Sequence, residues 1–319
     1  MGNFNDPGVA AALGNTGAPS ADFKPKNIVW GCFLPKALEL SAAEMATSAT
    51  FFTKMQALVI LPSATRARPF GKFDNPEDKS EATVYETTKY GSKLFVRDGK
   101  YIWRFSIVGC GVGWLSSLQT LNQTASQKII FADSANVVFG TKSTAVTGGM
   151  KGFSIENVEF EKWTMNDGSK TTGYYFEITL ANPEELNKGN CVFLPLTSDP
   201  AESIKGIIDV DLVLGTLTPA SKISIKVVER YSRVNLYSLY SALLNDENAW
   251  VVTKAGAAVT PASHQLVAAE EAIELTLTTP AGEHVFSLAS TSALDTLGIG
   301  GPPDNGFESG TLSATFVQP

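Results

Sequence analysis

The chain has 319 residues, 44% apolar and 18% charged, with a net charge of −7 and a pI near 5.0. That length supports one large domain or two ordinary ones, and the apolar content excludes a disordered chain. No block of Lys or Arg occurs, which argues against a protein that grips nucleic acid, because phosphate neutralisation needs clustered basic side chains.

Residues 1–27 are rich in Gly, Ala, Asn and Pro, with Phe4, Leu13 and Phe23 as the bulky anchors. Such an arm cannot offset its own ordering entropy and needs a surface to dock on, either a neighbouring subunit or its own domain. Ser41-Ala42-Ala43-Glu44 is a capping box and predicts a helix running to about Gln56, with Leu40, Met45, Phe52 and Met55 among its contacts. Ala57–Leu61 then reads as a short buried strand ended by Pro62. Residues 62–92, carrying Arg66, Arg68, Pro69, Phe70, Phe73 and Tyr90, show little periodicity and read as a long functional loop. Asp98-Gly99 between Lys93–Arg97 and Lys100–Val108 is a two-residue hairpin signal. In the second of those strands Tyr101, Trp103, Phe105 and Ile107 share one face.

Gly109-Cys110-Gly111-Val112-Gly113 breaks the sheet ahead of a short helix with Trp114, Leu115, Leu118 and Leu121 on one side. Strands are expected at Lys128–Ala132, Asn136–Gly140 and within Ile155–Trp163. After a turn at Asn166-Asp167-Gly168-Ser169, Tyr174–Leu180 alternates apolar Tyr174, Phe176, Ile178 and Leu180 with Tyr175, Glu177 and Thr179. Residues 28–205 thus read as a sheet-rich α+β domain.

A second unit is expected over 206–319. Ile207–Leu214 and Ile223–Val228 read as strands, and Asn235 caps a short helix with Leu236, Leu239, Tyr240 and Leu243 inward. Short strands follow at Trp250–Thr253, Ala257–Val259, Glu274–Thr278, Glu283–Leu288 and Thr311–Val317. Closely spaced short strands with turn signals suggest a small β-sandwich, Ig-like in size. The predicted class is mainly β (α+β).

Residues that carry chemistry are sparse. The two histidines, His264 and His284, sit in no metal-ligand spacing, and there is no C-x-x-C. Cys32, Cys110 and Cys191 are an odd, widely spaced set, which fits a reduced compartment rather than a disulfide framework. Gly109–Trp114 lacks the Lys-Ser/Thr of a phosphate-binding loop and reads as a strand-to-helix turn. Asp209 and Asp211 share a strand face as calcium ligands sometimes do, but without further oxygen donors they read as a solvated face. The start has no basic segment leading an apolar one, and no apolar run approaches about 20 residues, so neither a secretory signal nor a membrane span is expected. The expectation is a protein with no catalytic residue, cofactor or metal.

Three tracts carry a resemblance: Ala64-Thr65-Arg66-Ala67-Arg68-Pro69-Phe70-Gly71; Tyr90-Gly91-Ser92-Lys93 with Val96–Trp103; and Val234-Asn235-Leu236-Tyr237-Ser238-Leu239-Tyr240 followed by Ala249-Trp250-Val251. Across about two thirds of the chain they look like structural proteins of phages infecting gut Bacteroidetes, and the order of elements resembles tail-tube proteins. The resemblance implies a virion subunit, assembled in the bacterial host cytoplasm, that forms rings or helical assemblies with copies of itself and other virion proteins. DNA would pass through its lumen without specific binding. It makes residues 1–27 and 62–92 inter-subunit clasps, with Phe4, Leu13, Phe23, Arg66, Arg68, Phe70, Phe73 and Tyr90 as contacts, and 206–319 an outer decoration. A capsid-decorating or neck protein is the alternative within that class, and a surface carbohydrate-binding module the alternative outside it.

Overall fold

The computed structural model describes residues 25–62, 64–108, 127–161, 165, 173–186, 190–218, 221–278, 281–298 and 306–316. The readings at Phe4, Leu13 and Phe23, at Gly109–Leu121, at Trp163 and at Asn166–Ser169 lie outside these residues. The chain is mainly β with short helices, in two compact units. One holds Met1–Val59 and Ser63–Ile204; the other holds Ile60–Pro62 and Lys205–Pro319.

The first unit contains β1 (Ile28–Pro35), α1 (Ser48–Val59), β2 (Arg68–Phe70), β3 (Asp74–Asp78), β4 (Val84–Thr87), β5 (Lys93–Arg97) and β6 (Ile102–Val108). β7 (Gln127–Asp133), β8 (Val137–Lys142), β9 (Met150–Lys151), β10 (Phe153–Phe160), β11 (Gly173–Leu180), β12 (Cys191–Pro195) and α2 (Pro200–Ser203) follow. β7 is the hub. Its run Ile129-Ile130-Phe131-Ala132 is buried on both faces, as in strands covered on two sides. One edge pairs along its length with β1; the other is shared, β10 taking Lys128 and Ile129 and β8 taking Phe131 and Ala132. From that branch the sheet runs one way through β8 to β12 and the other through β10, β11 and β6 to β3. The branch depends on Gly152, where a Cβ would lie 2.8 Å from the backbone nitrogen of Ile129.

The core of this unit is phenylalanine-rich. Phe33, Phe70, Phe73, Phe105, Phe131, Phe139, Phe153 and Phe176 are buried together. Their rings pack at preferred separations, with Phe73 4.8 Å from Phe105 and Phe70 edge-on to Phe176 at 5.0 Å. Asp133, at the end of β7, is buried and fully engaged. Its Oδ1 accepts from the amides of Ala135 (2.9 Å) and Val137 (3.0 Å), and its Oδ2 from the Lys26 amide (3.0 Å). It thereby ties the β7–β8 turn to the start of β1.

Several expectations are corrected in this unit. The Ser41–Glu44 box forms, the Glu44 carboxylate accepting from the Ser41 amide at 2.7 Å, but it closes a turn; a second reciprocal pair, Thr47 and Thr50, starts the helix at Ser48. That shift puts Phe51 inward and leaves Phe52 half-buried. Ala57–Val59 is the last turn of α1 rather than a strand. The apolar run is too short to show its period, and the helix ends ahead of Pro62 as that residue requires. The Leu58 carbonyl at that end accepts from the Ala67 amide at 3.1 Å. Residues 62–92 are no structureless loop, since they hold β2, β3 and β4.

The second unit is a β-sandwich. It comprises β13 (Ile207–Thr218), β14 (Lys222–Glu229), α3 (Tyr237–Leu244), β15 (Trp250–Lys254), β16 (Ala257–Ala258), β17 (Pro261–Val267), β18 (Ala272–Leu277), β19 (Gly282–Leu288), α4 (Thr291–Thr296), β20 (Gly306–Ser309) and β21 (Leu312–Phe316). One sheet runs β17-β18-β14-β13-β20, the other β16-β15-β19-β21. With the two-residue β16 left out of the count, β13, β14, β18 and β17 are the first, second, fifth and fourth strands, the set that forms one sheet of the immunoglobulin arrangement. Trp250 on the third strand is buried in the shared core and donates from Nε1 to the Leu244 carbonyl at 2.8 Å. The final strand switches sheets: β20 pairs parallel with β13, and after Gly310-Thr311 β21 pairs antiparallel with β19. Asn235 accepts from the Tyr237 amide at 3.0 Å, but it lies one residue ahead of the N-cap position, which Leu236 holds without a capping side chain; Leu239 faces solvent while Leu236 and Leu244 take the core positions.

Candidate functional site

The most unusual surface in the described residues is a β-ribbon made by residues 74–108. At its base β3 pairs with β6, Glu77 opposite Arg104 and Asp78 opposite Trp103. The pairing continues outward through Lys79 N to Ile102 O (2.8 Å) and Glu81 N to Lys100 O (2.9 Å). Beyond that joint β4 and β5 form a separate two-stranded sheet, closed by a turn in which Thr88 N donates to Ser92 O at 2.8 Å and Gly91 takes φ 80°. The hairpin turn is therefore at Thr88–Ser92, not at Asp98-Gly99. Gly99 sits at the joint, where a Cβ would fall 1.9 Å from the Glu81 carbonyl oxygen, so only glycine fits. The Glu81 carboxylate holds the joint from outside, accepting from Arg97 Nη1 at 2.9 Å; that bond, followed by one from the Lys100 amide, keeps its pKa below the ordinary range.

Every residue of β4 and β5 is exposed. Tyr85 and Phe95 pair across the strands with 53% and 59% of their surface open, and Tyr90 at the turn is 96% exposed. Val84, Leu94 and Val96 stand between 37% and 54% exposed. An isolated two-stranded hairpin is marginal in water, and a clustered apolar surface of this kind marks an interaction site. The base strand is guarded differently. β3 is an edge strand of sequence Asp-Asn-Pro-Glu-Asp, with Pro76 lacking an amide donor and a register shift between Asp74 and Glu77, features that discourage edge pairing.

Behind the ribbon the outward sheet face is acidic. Glu77, Arg104, Glu177 and Glu159 form one cross-strand row, with Glu159 directly opposite Glu177. Arg104 offsets that repulsion. It grips Glu161 with two bonds of 2.7 Å, lies 3.4 Å from Glu77 and 3.9 Å from Glu177, and stacks over the Tyr175 ring at 4.4 Å.

Of the contacts expected from the sequence, Tyr90 lies at the ribbon tip and Arg68 is half-buried on β2, opposite Phe33. Arg66, Phe70 and Phe73 are corrected: all are buried, the two rings at 3% exposure in the phenylalanine core, so they hold the fold rather than face a neighbour. Tyr85, Leu94, Phe95 and Val96, all exposed, are not among the contacts expected from the sequence. The consecutive apolar run Leu94-Phe95-Val96, bounded by Lys93 and Arg97, was the available signal.

Elsewhere the polar clusters are consumed by structure. Asp211 is bonded to Arg230 Nε (2.9 Å) and Arg233 Nη1 (2.8 Å), and Asp209 accepts from Tyr231 Oη (3.3 Å), so these carboxylates form an ion-pair network rather than a merely solvated face. His264 lies on β17, half-buried, and His284 is wholly buried in the sandwich. Burial drives the Cys32 thiol pKa far up, which leaves that sulfur inert. Among the described residues no group of three or more His, Cys, Asp or Glu is placed to hold a metal ion, and no helix is long and apolar enough to cross a membrane. No protein-family model matches the chain, and no curated protein matches it in sequence.

Proposed function

We propose that this chain is a structural subunit of a phage virion, of the tail-tube or ring-forming kind, which assembles with copies of itself and other virion proteins in the bacterial host cytoplasm. The exposed apolar end of the 74–108 ribbon carries the reading. Folding of the single chain leaves Tyr85, Tyr90, Leu94, Phe95 and Val96 in water, and assembly is the process that would cover them. The three tracts that resemble Bacteroidetes-phage structural proteins point the same way, as does an acidic chain for a conduit that must not trap DNA. Here the ribbon, not the whole of 62–92, is the clasp. Negative-stain micrographs of the concentrated purified protein test the proposal. Rings or tubes are expected; a protein that stays monomeric in micrographs and in size-exclusion light scattering would overturn it.

A further inference from the structure

A contact arm that lies on one neighbour needs one apolar face and one polar face. The β4–β5 hairpin lacks that division. Cross-strand partners project to the same side of a ribbon and successive residues to opposite sides. Tyr85 and Phe95 therefore share one face, where their rings meet edge-on at 6.3 Å. Glu86 and its partner Leu94 share the other, while Val84 lies beyond a register shift, opposite Arg97. Both faces thus carry exposed apolar side chains, and Leu94-Phe95-Val96 is an uninterrupted apolar run. Strands read this way when covered on both sides, and three consecutive exposed apolar residues are a defect in a surface hairpin unless function requires them.

We infer that the hairpin is gripped on both faces at once, inserted between two surfaces contributed by other copies of this chain. The inference rests on the assembly reading above and specifies its geometry. Two observations select a second copy as the occupant. Residues 84–97 carry Lys89, Lys93 and Arg97 against Glu86, a net +2, which leaves −9 on the remainder of a −7 chain; the hairpin is thus attracted by the bulk of its own kind. The area also suffices: with aromatic side chains offering 150–250 Å² each, the six exposed apolar residues present roughly 600 Å², most of the approximately 800 Å² that one partner gives to a standard interface. The hairpin and the surfaces that grip it are different parts of the molecule, so the contact is heterologous and propagates into rings or filaments.

Two variants separate the faces: the pair Tyr85→Ser with Phe95→Ser on one, and Leu94→Ser on the other. Each is compared with wild type by sedimentation velocity across a concentration series, with the circular dichroism melt as a check on folding. Should the pair lose its cooperative melt, Phe95→Ser alone takes its place. Both variants are expected to raise the concentration for half-assembly at least about tenfold. If only one does so, the hairpin lies on a single surface and the inference is wrong. If wild type assembles and neither variant changes it, the hairpin is not the contact, while the assembly reading stands. A wild-type protein that never self-associates overturns the second copy as occupant and points to a different virion protein.

Discussion

The rings of Tyr85 and Phe95 meet edge-on, 6.3 Å between centroids, with more than half of each side chain open to solvent. A cross-strand aromatic pair of this geometry contributes about 0.2–1 kcal/mol to a sheet. That is small beside the ordering entropy of the hairpin that carries it. The two-stranded tip should therefore be the least protected sheet in the molecule until something covers it.

Hydrogen exchange tests that directly. Amides of residues 84–97 are expected to exchange fastest among the strands in dilute protein, and to gain protection at concentrations where the chain associates. Protection that is already complete in dilute monomer would show that the hairpin needs no partner.

Asp133 offers a test inside the fold. Its carboxylate accepts from the amides of Lys26, Ala135 and Val137, and the residue is 1% exposed. Asp133→Ala removes a charged acceptor shared by three part-buried amides and should cost about 1–2 kcal/mol in denaturant unfolding, with Asp133→Asn recovering part of the loss. Equal losses in the two variants would mean that the carboxylate's charge, which neither retains, matters rather than its volume or its acceptor geometry.

His284 makes the opposite prediction. It lies wholly buried beside Phe286 and Phe316, its Nδ1 is 3.2 Å from the Gly282 carbonyl, and its Nε2 has no partner among the described residues. Replacing a buried, half-satisfied polar group by an apolar one of similar size relieves the cost of the unmade bond. His284→Leu should stabilise the sandwich by about 1 kcal/mol. A destabilised variant would reveal a role for the ring that packing does not explain.

Glu270 gives a pH signature. A hydrogen bond from the Ser224 hydroxyl (2.5 Å) and then one from Thr216 Oγ1 (2.5 Å) hold its pKa below the ordinary 4.5, fastening the β17–β18 turn to the irregular stretch of β13. Because the folded value is the depressed one, the stabilisation is present above the unfolded pKa and disappears as pH falls through the folded one. Urea unfolding followed from about pH 6 to about pH 3 should lose stability with acid, and Glu270→Gln should flatten that loss. An unchanged slope in the variant would remove Glu270 as its source.

Much of the fold was legible in the residues. Tyr174–Leu180 alternates strictly and forms a half-buried strand, and Trp250–Thr253, Glu283–Leu288 and the alternating tail fall on strands of the sandwich. These segments carry their period locally. β1 and β20 were not anticipated: Ile28–Pro35 is buried on both faces and so has no alternation to read, and Gly306–Ser309 is a four-residue strand among glycines. The hairpin turn was misplaced because Asp98-Gly99 has the composition of a tight turn, while the close approach of Glu81 that demands Gly99 is a tertiary fact.

The ribbon shows the same division. Sequence alone determined that the chain is mainly β, that its helices are few, and that Leu94-Phe95-Val96 is an apolar run between charges, since propensity and patterning act over a few residues. Whether an apolar side chain is core or surface is not a local property. Only the tertiary structure sent Phe70 and Phe73 inward and Phe95 and Tyr85 outward, because burial depends on which distant strands close over a residue, and among the described residues none closes over the tip of the ribbon.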